Sequence, residues 1–294
     1  MLWKRLRLTL EMIKFEHSVF ALPFALTGAL LAFRQAGYHY VAAGGKILWI
    51  CVAMVGARSA AMAFNRLVDA GIDRRNPRTR MRHLPAGLLS RGFAWGFVVA
   101  ACLLFFLAAG MLNPLCLRLA PLALALVFFY SFTKRFTAFS HLVLGFCLGV
   151  APAAAWIAVR GSLDPRILWL TAAVTCWTAG FDIIYSCQDY EFDRAEGLFS
   201  IPRRLGIAPA LLVARGLHLL MVLCLLALVV TLHLGVLALA GVASIVAMLV
   251  YEHSLVKPHD LSRLDAAFFT INGYVSVLFF LFWAADIFLL KPGI

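Results

Sequence analysis

Two short segments hold half of the acidic side chains in this chain. Of the 14 aspartates and glutamates, seven fall in these segments. Asn65, Asp69 and Asp73 recur every four residues in the first, and Asp189 and Asp193 have the same spacing in the second. Residues spaced in this way share one face of a helix. Because stacked carboxylates repel one another, the pattern predicts two sites for a cation that prefers oxygen ligands, Mg²⁺ or Ca²⁺.

The elements that must position these segments are membrane-spanning helices. Apolar residues make up 63% of the chain and charged residues 14%, which excludes a water-soluble fold. Apolar runs centre near residues 26, 54, 102, 122, 148, 174, 221, 242 and 277. A stretch such as 219–230 is apolar on every face, unlike a β-barrel strand. We predict an all-α integral membrane protein, a bundle of about nine transmembrane helices that forms one domain over residues 1–294.

The basic residues predict how the bundle is oriented. Most of the 26 lysines and arginines lie in the N-terminal segment and in the connections after the second, fourth, sixth and eighth apolar runs. Since cytoplasmic loops carry such an excess, we predict a cytoplasmic N-terminus and both acidic segments on the cytoplasmic side of the inner membrane. The net charge of +12 then reflects topology and contact with lipid headgroups. No base-reading motif accompanies it, so we expect no nucleic-acid partner.

At these residues the sequence resembles the UbiA superfamily of intramembrane prenyltransferases. Its Asn-x-x-x-Asp-x-x-x-Asp and Asp-x-x-x-Asp motifs are both complete, and the nine predicted spans agree with its architecture. The opening segment Ile13 to Leu26 is similar to the hydroxybenzoate branch, which includes enzymes of the futalosine route to menaquinone. The resemblance implies Mg²⁺-dependent transfer of a polyprenyl chain from polyprenyl diphosphate to a hydroxylated aromatic acid in ubiquinone or menaquinone biosynthesis. The acceptor is then 4-hydroxybenzoate or 1,4-dihydroxy-6-naphthoate, and the sequence does not choose between them.

The resemblance also implies roles at the diphosphate. Asn65, Asp69, Asp73, Asp189 and Asp193 would hold the Mg²⁺ ions, with the four aspartates acting where the allylic carbon–oxygen bond ionises.

The segment that begins at Tyr130 is similar to the loop after the fourth helix of the family. Tyr130, Lys134 and Arg135 would bind the diphosphate in this interpretation. The alternative for Lys134 and Arg135 is that they serve only the positive-inside rule.

Four residues are candidates for the acceptor. Arg58 lies inside an apolar run and would bind the carboxylate of an aryl acid, or alternatively pair with Asp182. His17, at the start of the first span, would orient a phenol, and Asp182 and Tyr185 would flank the ring. We also expect Phe64 and Tyr185 to lie near the allyl cation.

Other function classes remain open from the sequence. A cation-coupled transporter would place its acids near the middle of the bilayer, whereas these lie at helix ends beside arginine-rich loops. A non-catalytic isoprenoid-binding protein and a relative that acts on haem, chlorophyllide or glycerol-phosphate lipids are further alternatives. The seven cysteines form no CxxC pair and are expected to be reduced core residues.

Overall fold

The structure, a computed structural model, describes residues 2–13, 21–37 and 44–289. These residues form twelve α-helices: α1 (Leu2–Met12), α2 (Leu22–Ala36), α3 (Gly44–Arg75), α4 (Arg91–Leu112), α5 (Pro114–Thr133), α6 (Ser140–Arg160), α7 (Leu168–Ser186), α8 (Tyr190–Glu196), α9 (Ile201–Leu205), α10 (Ile207–Thr231), α11 (Val236–Leu255) and α12 (Asn272–Leu289). Short 3₁₀ turns at Pro165–Ile167 and Cys187–Asp189 precede α7 and α8, and a π-helical turn at Ala266–Ile271 precedes α12.

Each predicted apolar run forms a helix. The runs correspond to α2 through α7 and α10 through α12. Within the described ranges, eight helices are long and apolar enough to cross a membrane, and the described part of α2 adds 15 residues of apolar helix. The all-helical membrane bundle is thus confirmed. The side of the membrane on which the N-terminus lies stays a prediction.

A proline separates two membrane spans, α4 and α5, that form one nearly continuous apolar stretch in the sequence. Helix α4 ends at Leu112 and α5 begins at Pro114, which needs no N–H donor at the first position of a helix. The side chain of Asn113 caps α5, because its Oδ1 accepts a hydrogen bond from the Cys116 N–H at 2.9 Å. Its amide nitrogen donates to the carbonyl oxygen of Ile157 at 2.9 Å. Asn113 therefore joins the junction of α4 and α5 to the C-terminal end of α6.

Two glycines bring α6 and α7 into close contact. A Cβ atom at Gly145 would lie 2.3 Å from the carbonyl oxygen of Thr175, and one at Gly149 would lie 2.6 Å from that of Thr171. Small residues four apart let two membrane helices approach along their backbones. This packing holds α7, which leads into the second acidic segment, in a fixed register beside α6.

The π-helical turn is anchored by a buried polar network. Asn272 is fully buried, and its amide nitrogen donates to Glu252 Oε1 at 2.8 Å and to the carbonyl oxygen of Phe268 at 3.2 Å. Its Oδ1 accepts a hydrogen bond from Trp177 Nε1 at 2.7 Å. Buried polar groups need such partners in an apolar interior. The network fixes α12 and the turn that carries Phe268 against α7.

Candidate active site

A cavity of about 390 Å³ lies between the two acidic segments. Most of the predicted site residues line it: Arg58, Asn65, Asp69, Asp73, Tyr130, Lys134, Asp182, Tyr185, Asp189 and Asp193. Arg135 reaches its edge through a contact with Asp69. His17 lies outside the described residues, so its predicted role stays untested. Side chains 120 residues apart in sequence thus face one space, as the paired motifs predict.

The second acidic segment differs from its predicted local structure. The spacing of Asp182, Tyr185, Asp189 and Asp193 indicates one helical stripe, but α7 ends at Ser186 and the 3₁₀ turn intervenes before α8. Since a 3₁₀ turn has about three residues per turn, a continuous α-helical stripe is wrong here. All four side chains still line the cavity.

The first acidic segment lies on the last turns of α3. Asp69 is 2% exposed and forms ion pairs with Lys134, at 2.6 Å to Oδ2, and with Arg135, at 3.3 Å to Oδ1. The amide nitrogen of Asn65 donates to Asp69 Oδ2 at 3.2 Å. Lys134 and Arg135 follow the end of α5, so the contacts join α3 to the α5–α6 loop. The positive-inside rule alone does not explain such directed contacts.

A loop that the sequence analysis did not assign to the site closes the other side. Arg82 pairs with Asp73 Oδ1 at 2.8 Å, and Arg78 donates two hydrogen bonds to Asp189, at 2.5 Å and 3.0 Å. Asn76 also donates to Asp189 Oδ1 at 3.1 Å. The sequence signal for this loop is its position directly after the first motif, but a cluster of arginines there is also what the positive-inside rule predicts.

Charge pairing keeps Arg78 protonated. Its burial disfavours the charged guanidinium, but the hydrogen bonds and negative charge of Asp189 outweigh that effect, and the pKa of Arg78 is raised above its ordinary value. Arg78 also lies 5.4 Å from the ring centre of Tyr185, and its Nη1 donates to the Tyr185 hydroxyl at 3.3 Å. The loop thereby bridges the acidic segment and the aromatic wall.

The carboxylates fit a divalent cation by their chemistry. As they stand, no three His, Cys, Asp or Glu side chains in the described ranges form a metal-binding group. However, Asp73 is 4% exposed, and its Oδ2 accepts no hydrogen bond from the part of the chain that the structure describes. A buried carboxylate oxygen without a partner is costly, and a cation supplies the missing partner. Mg²⁺ commonly takes one or two carboxylates and completes its shell with water and phosphate oxygens.

A second layer of polar groups lies deeper in the cavity. Arg58 precedes Asn65 by about two helical turns on α3, and Asp182 lies on α7 before the turn that carries Asp189, so both lie nearer the middle of their spans than the motif aspartates. Asp182 Oδ2 contacts His141 Nδ1 at 2.7 Å. His141, at the start of α6, is a further cavity residue that the sequence pattern does not indicate. A lone histidine at a helix start carries no sequence signal of this contact.

Aromatic rings form one wall of the cavity. Tyr185 stacks on Phe268 with ring centres 4.0 Å apart, and Phe181 meets Phe268 edge to face at 5.3 Å. Tyr185 thus lines the cavity, and its role beside the allyl cation stays a prediction. Phe64 is different, because it packs against Phe128 at 4.3 Å and is not among the residues that line the cavity. Its side chain faces the α4–α5 side of α3 instead.

The comparisons with known proteins agree with this geometry. The UbiA prenyltransferase family model matches residues 21–288. A 4-hydroxybenzoate octaprenyltransferase of Vibrio atlanticus is 31% identical over 232 residues, which cover 77% of this chain and 81% of that protein. A UbiA homolog from Aeropyrum pernix K1 has 35% identity and a TM-score of 0.83, covering 92% of this chain and 98% of its own.

A more distant solved structure shares the fold. It is a UbiA homolog from Archaeoglobus fulgidus bound to GPP and Mg²⁺, with 21% identity and a TM-score of 0.75, covering 95% of this chain and 99% of its own. The family match includes both acidic segments, the basic loops and the helices that position them. These matches favour an enzyme over a cation-coupled transporter. The chain belongs to the UbiA prenyltransferase family, and it is an enzyme.

Proposed function

We propose that this enzyme transfers a polyprenyl chain from polyprenyl diphosphate to the ring of a hydroxylated aromatic acid, with Mg²⁺ as cofactor. The acceptor is 4-hydroxybenzoate or 1,4-dihydroxy-6-naphthoate, and the product enters ubiquinone or menaquinone biosynthesis. The observation that carries the proposal is the convergence of two acidic segments and four basic side chains on one cavity in an apolar bundle. The name of the Vibrio relative supports the acceptor class, and the GPP and Mg²⁺ of the Archaeoglobus homolog support the donor and the metal.

The carboxylate layer is the proposed metal site. Asn65, Asp69, Asp73, Asp189 and Asp193 would hold Mg²⁺, which offsets charge on the diphosphate when bound. Three of these aspartates already contact basic side chains. Binding of a metal diphosphate would therefore exchange one set of ion pairs for another, without leaving buried charges unpaired.

The basic side chains stabilise the leaving group. Lys134 and Arg135 come from one loop and contact Asp69, and Arg78 and Arg82 come from another and contact Asp189 and Asp73. When the diphosphate binds, these side chains would turn from the aspartates to the phosphate oxygens. Their N–H groups would then bind the diphosphate as negative charge develops on it. Tyr130, which lies in the last turn of α5 and lines the cavity, is the proposed third contact beside this loop.

The deeper layer receives the acceptor. Arg58 would bind its carboxylate, and Asp182 and Tyr185 would contact the hydroxylated ring. The aromatic faces of Tyr185, Phe181 and Phe268 stabilise an allyl cation and keep water from it. We place the site on the cytoplasmic side of the inner membrane, in one domain over residues 1–294, because the basic loops around the cavity are those that the positive-inside rule assigns there.

The test is prenyl transfer by purified protein in detergent with geranyl diphosphate and Mg²⁺. 4-Hydroxybenzoate and 1,4-dihydroxy-6-naphthoate are supplied in parallel, and EDTA stops the reaction. We expect a metal-dependent product on one acceptor, no turnover by Asp69→Ala or Asp189→Ala, and full turnover by Asp164→Ala, which removes an exposed ion pair in the α6–α7 connection. Activity of wild-type level in either of the first two variants contradicts the diphosphate site.

A further inference from the structure

Asp182 has a different partner from the other paired aspartates of the cavity. Asp69, Asp73 and Asp189 each contact lysine or arginine, whereas Asp182 contacts the imidazole of His141. The Asp182 side chain is 19% exposed, and that of His141 is 4% exposed. Asp182 is therefore held by a buried group, while part of its side chain remains exposed and lines the cavity.

The backbone selects one tautomer of His141. The N–H of Ile201, at the start of α9, donates to His141 Nε2 at 3.3 Å. Nε2 must then carry the lone pair, and the hydrogen of the neutral ring lies on Nδ1. That hydrogen is donated to Asp182 Oδ2 at 2.7 Å. The ring thus links three elements, α6, α7 and the start of α9, and its orientation is fixed at both nitrogens.

The position of Asp182 favours contact with the acceptor over contact with the diphosphate. It lies on α7, nearer the middle of the span than Asp189, just as Arg58 lies on α3 nearer the middle than Asn65. Both residues line the same cavity. A guanidinium suits a carboxylate, and a carboxylate oxygen suits a hydroxyl donor. A hydroxylated aromatic acid offers both groups.

We propose that His141 is a positioning residue for Asp182. It holds the carboxylate so that the Asp182 oxygen that does not contact His141 accepts a hydrogen bond from the hydroxyl group of the acceptor. The pair thereby selects for hydroxylated rings. The proposal rests on the proposed function and extends it to a residue on another helix. His141 itself touches neither substrate. Its removal lets the Asp182 carboxylate rotate, which weakens hydroxyl recognition but leaves the metal and diphosphate layer intact.

The test measures selectivity in binding. Dissociation constants are determined for 4-hydroxybenzoate and benzoate, with Mg²⁺ and a thiodiphosphate analogue of the donor present so that no turnover occurs. If the wild type prenylates the naphthoate instead, the pair is 1,4-dihydroxy-6-naphthoate and 2-naphthoate. We expect about tenfold or greater preference for the hydroxylated ligand in the wild type, a ratio near one in His141→Phe and Asp182→Asn, and a retained preference in His141→Asn, whose amide can replace the Nδ1 donor.

Two control variants separate positioning from general damage. Arg58→Met is expected to weaken both ligands of a pair equally, since both carry the carboxylate. His233→Asn, in the α10–α11 loop, should change nothing, because asparagine tolerates the positive φ of 50° at this position. Turnover gives a second measure for His141→Phe, His141→Asn and His233→Asn. Among these variants, kcat should fall where the selectivity ratio falls and stay at the wild-type value where the ratio is retained.

The outcomes distinguish the two proposals. A wild type that binds the diphosphate analogue but prenylates neither acceptor contradicts the proposed function and this inference with it. An active wild type whose selectivity survives in His141→Phe overturns only the role of His141. Equal damage in His141→Phe and His141→Asn, together with lost binding of the diphosphate analogue, also overturns it, because that result indicates a purely structural role.

Discussion

Arg78 is the residue at which the sequence pattern and the observed site differ most. Only four residues lie between it and Asp73, the last aspartate of the first motif, yet its guanidinium contacts Asp189 of the second motif and the ring of Tyr185. One side chain therefore links both acidic segments and the aromatic wall. This contact neutralises a carboxylate, and in the proposed reaction the same guanidinium binds the leaving group.

Substitution of Arg78 tests that role. Arg78→Met is expected to raise the KM for geranyl diphosphate about tenfold or more, since a charge-assisted hydrogen bond contributes about 1.5 to 3 kcal/mol. Arg80→Met is the matched control, because Arg80 is exposed in the same loop and does not line the cavity. Steady-state kinetics at saturating Mg²⁺ give both values. Equal KM values for the two variants are incompatible with a directed contact between Arg78 and the diphosphate.

At the scale of elements, the α6–α7 contact determines where Asp182 and His141 meet. Gly145 allows the approach because hydrogen occupies the place of a side chain next to the Thr175 carbonyl. Gly145→Ala requires the two backbones to separate. We expect a loss of about 1 to 3 kcal/mol in the free energy of unfolding, typical of an overpacked core.

The matched control lies in α4. No heavy atom lies within 4 Å of the place where a Cβ would be built at Gly110, so Gly110→Ala should be neutral or slightly stabilising. Thermal unfolding in detergent, followed by circular dichroism, compares the two variants. A Gly145→Ala protein as stable as Gly110→Ala would show that the helices separate at no cost.

The π-helical turn depends on the hydrogen bonds of Asn272. Asn272→Leu leaves the indole N–H of Trp177 and the carboxyl group of Glu252 without this partner inside the bundle. We expect the free energy of unfolding to fall by about 2 to 4 kcal/mol. Because Phe268 belongs to the turn, the KM for the prenyl donor should also rise. A variant with wild-type melting temperature and KM would contradict the anchoring role.

At the scale of the whole molecule, the distribution of basic residues predicts how the bundle is oriented. The loop between α3 and α4 holds Arg78, Arg80 and Arg82, and it closes the cavity. The positive-inside rule places this loop in the cytoplasm and the α6–α7 connection on the opposite side. The cavity would then open toward the compartment that supplies the diphosphate and the metal.

Labelling of introduced cysteines tests the orientation. A membrane-impermeant maleimide should react with Arg80→Cys in inside-out vesicles and with Leu163→Cys in right-side-out vesicles, compared with the background of the wild-type cysteines. Arg80 and Leu163 are both exposed, in loops at the two ends of the bundle. The reversed labelling pattern would place the site on the outer side and contradict the predicted localisation.

Much of the site was predictable because its signals are local. A four-residue spacing fixes the shared face of Asn65, Asp69 and Asp73 whatever surrounds the helix, and this face does line the cavity. The same reasoning was incomplete at Cys187–Asp189, where the chain adopts a 3₁₀ turn. Phe64 was misplaced because an aromatic side chain on a membrane helix packs equally well toward another helix or toward a cavity.

The sequence by itself determined the membrane class, the helical spans, the two acidic segments and the family to which they belong, because these depend on composition and on spacing along one helix. Only the tertiary structure decided which distant side chains meet. The contact from Asn76 to Asp189 crosses 113 residues, and that from His141 to Asp182 crosses 41. Such contacts depend on the register in which helices pack, which here follows from backbone approach at Gly145 and Gly149 and not from any local pattern.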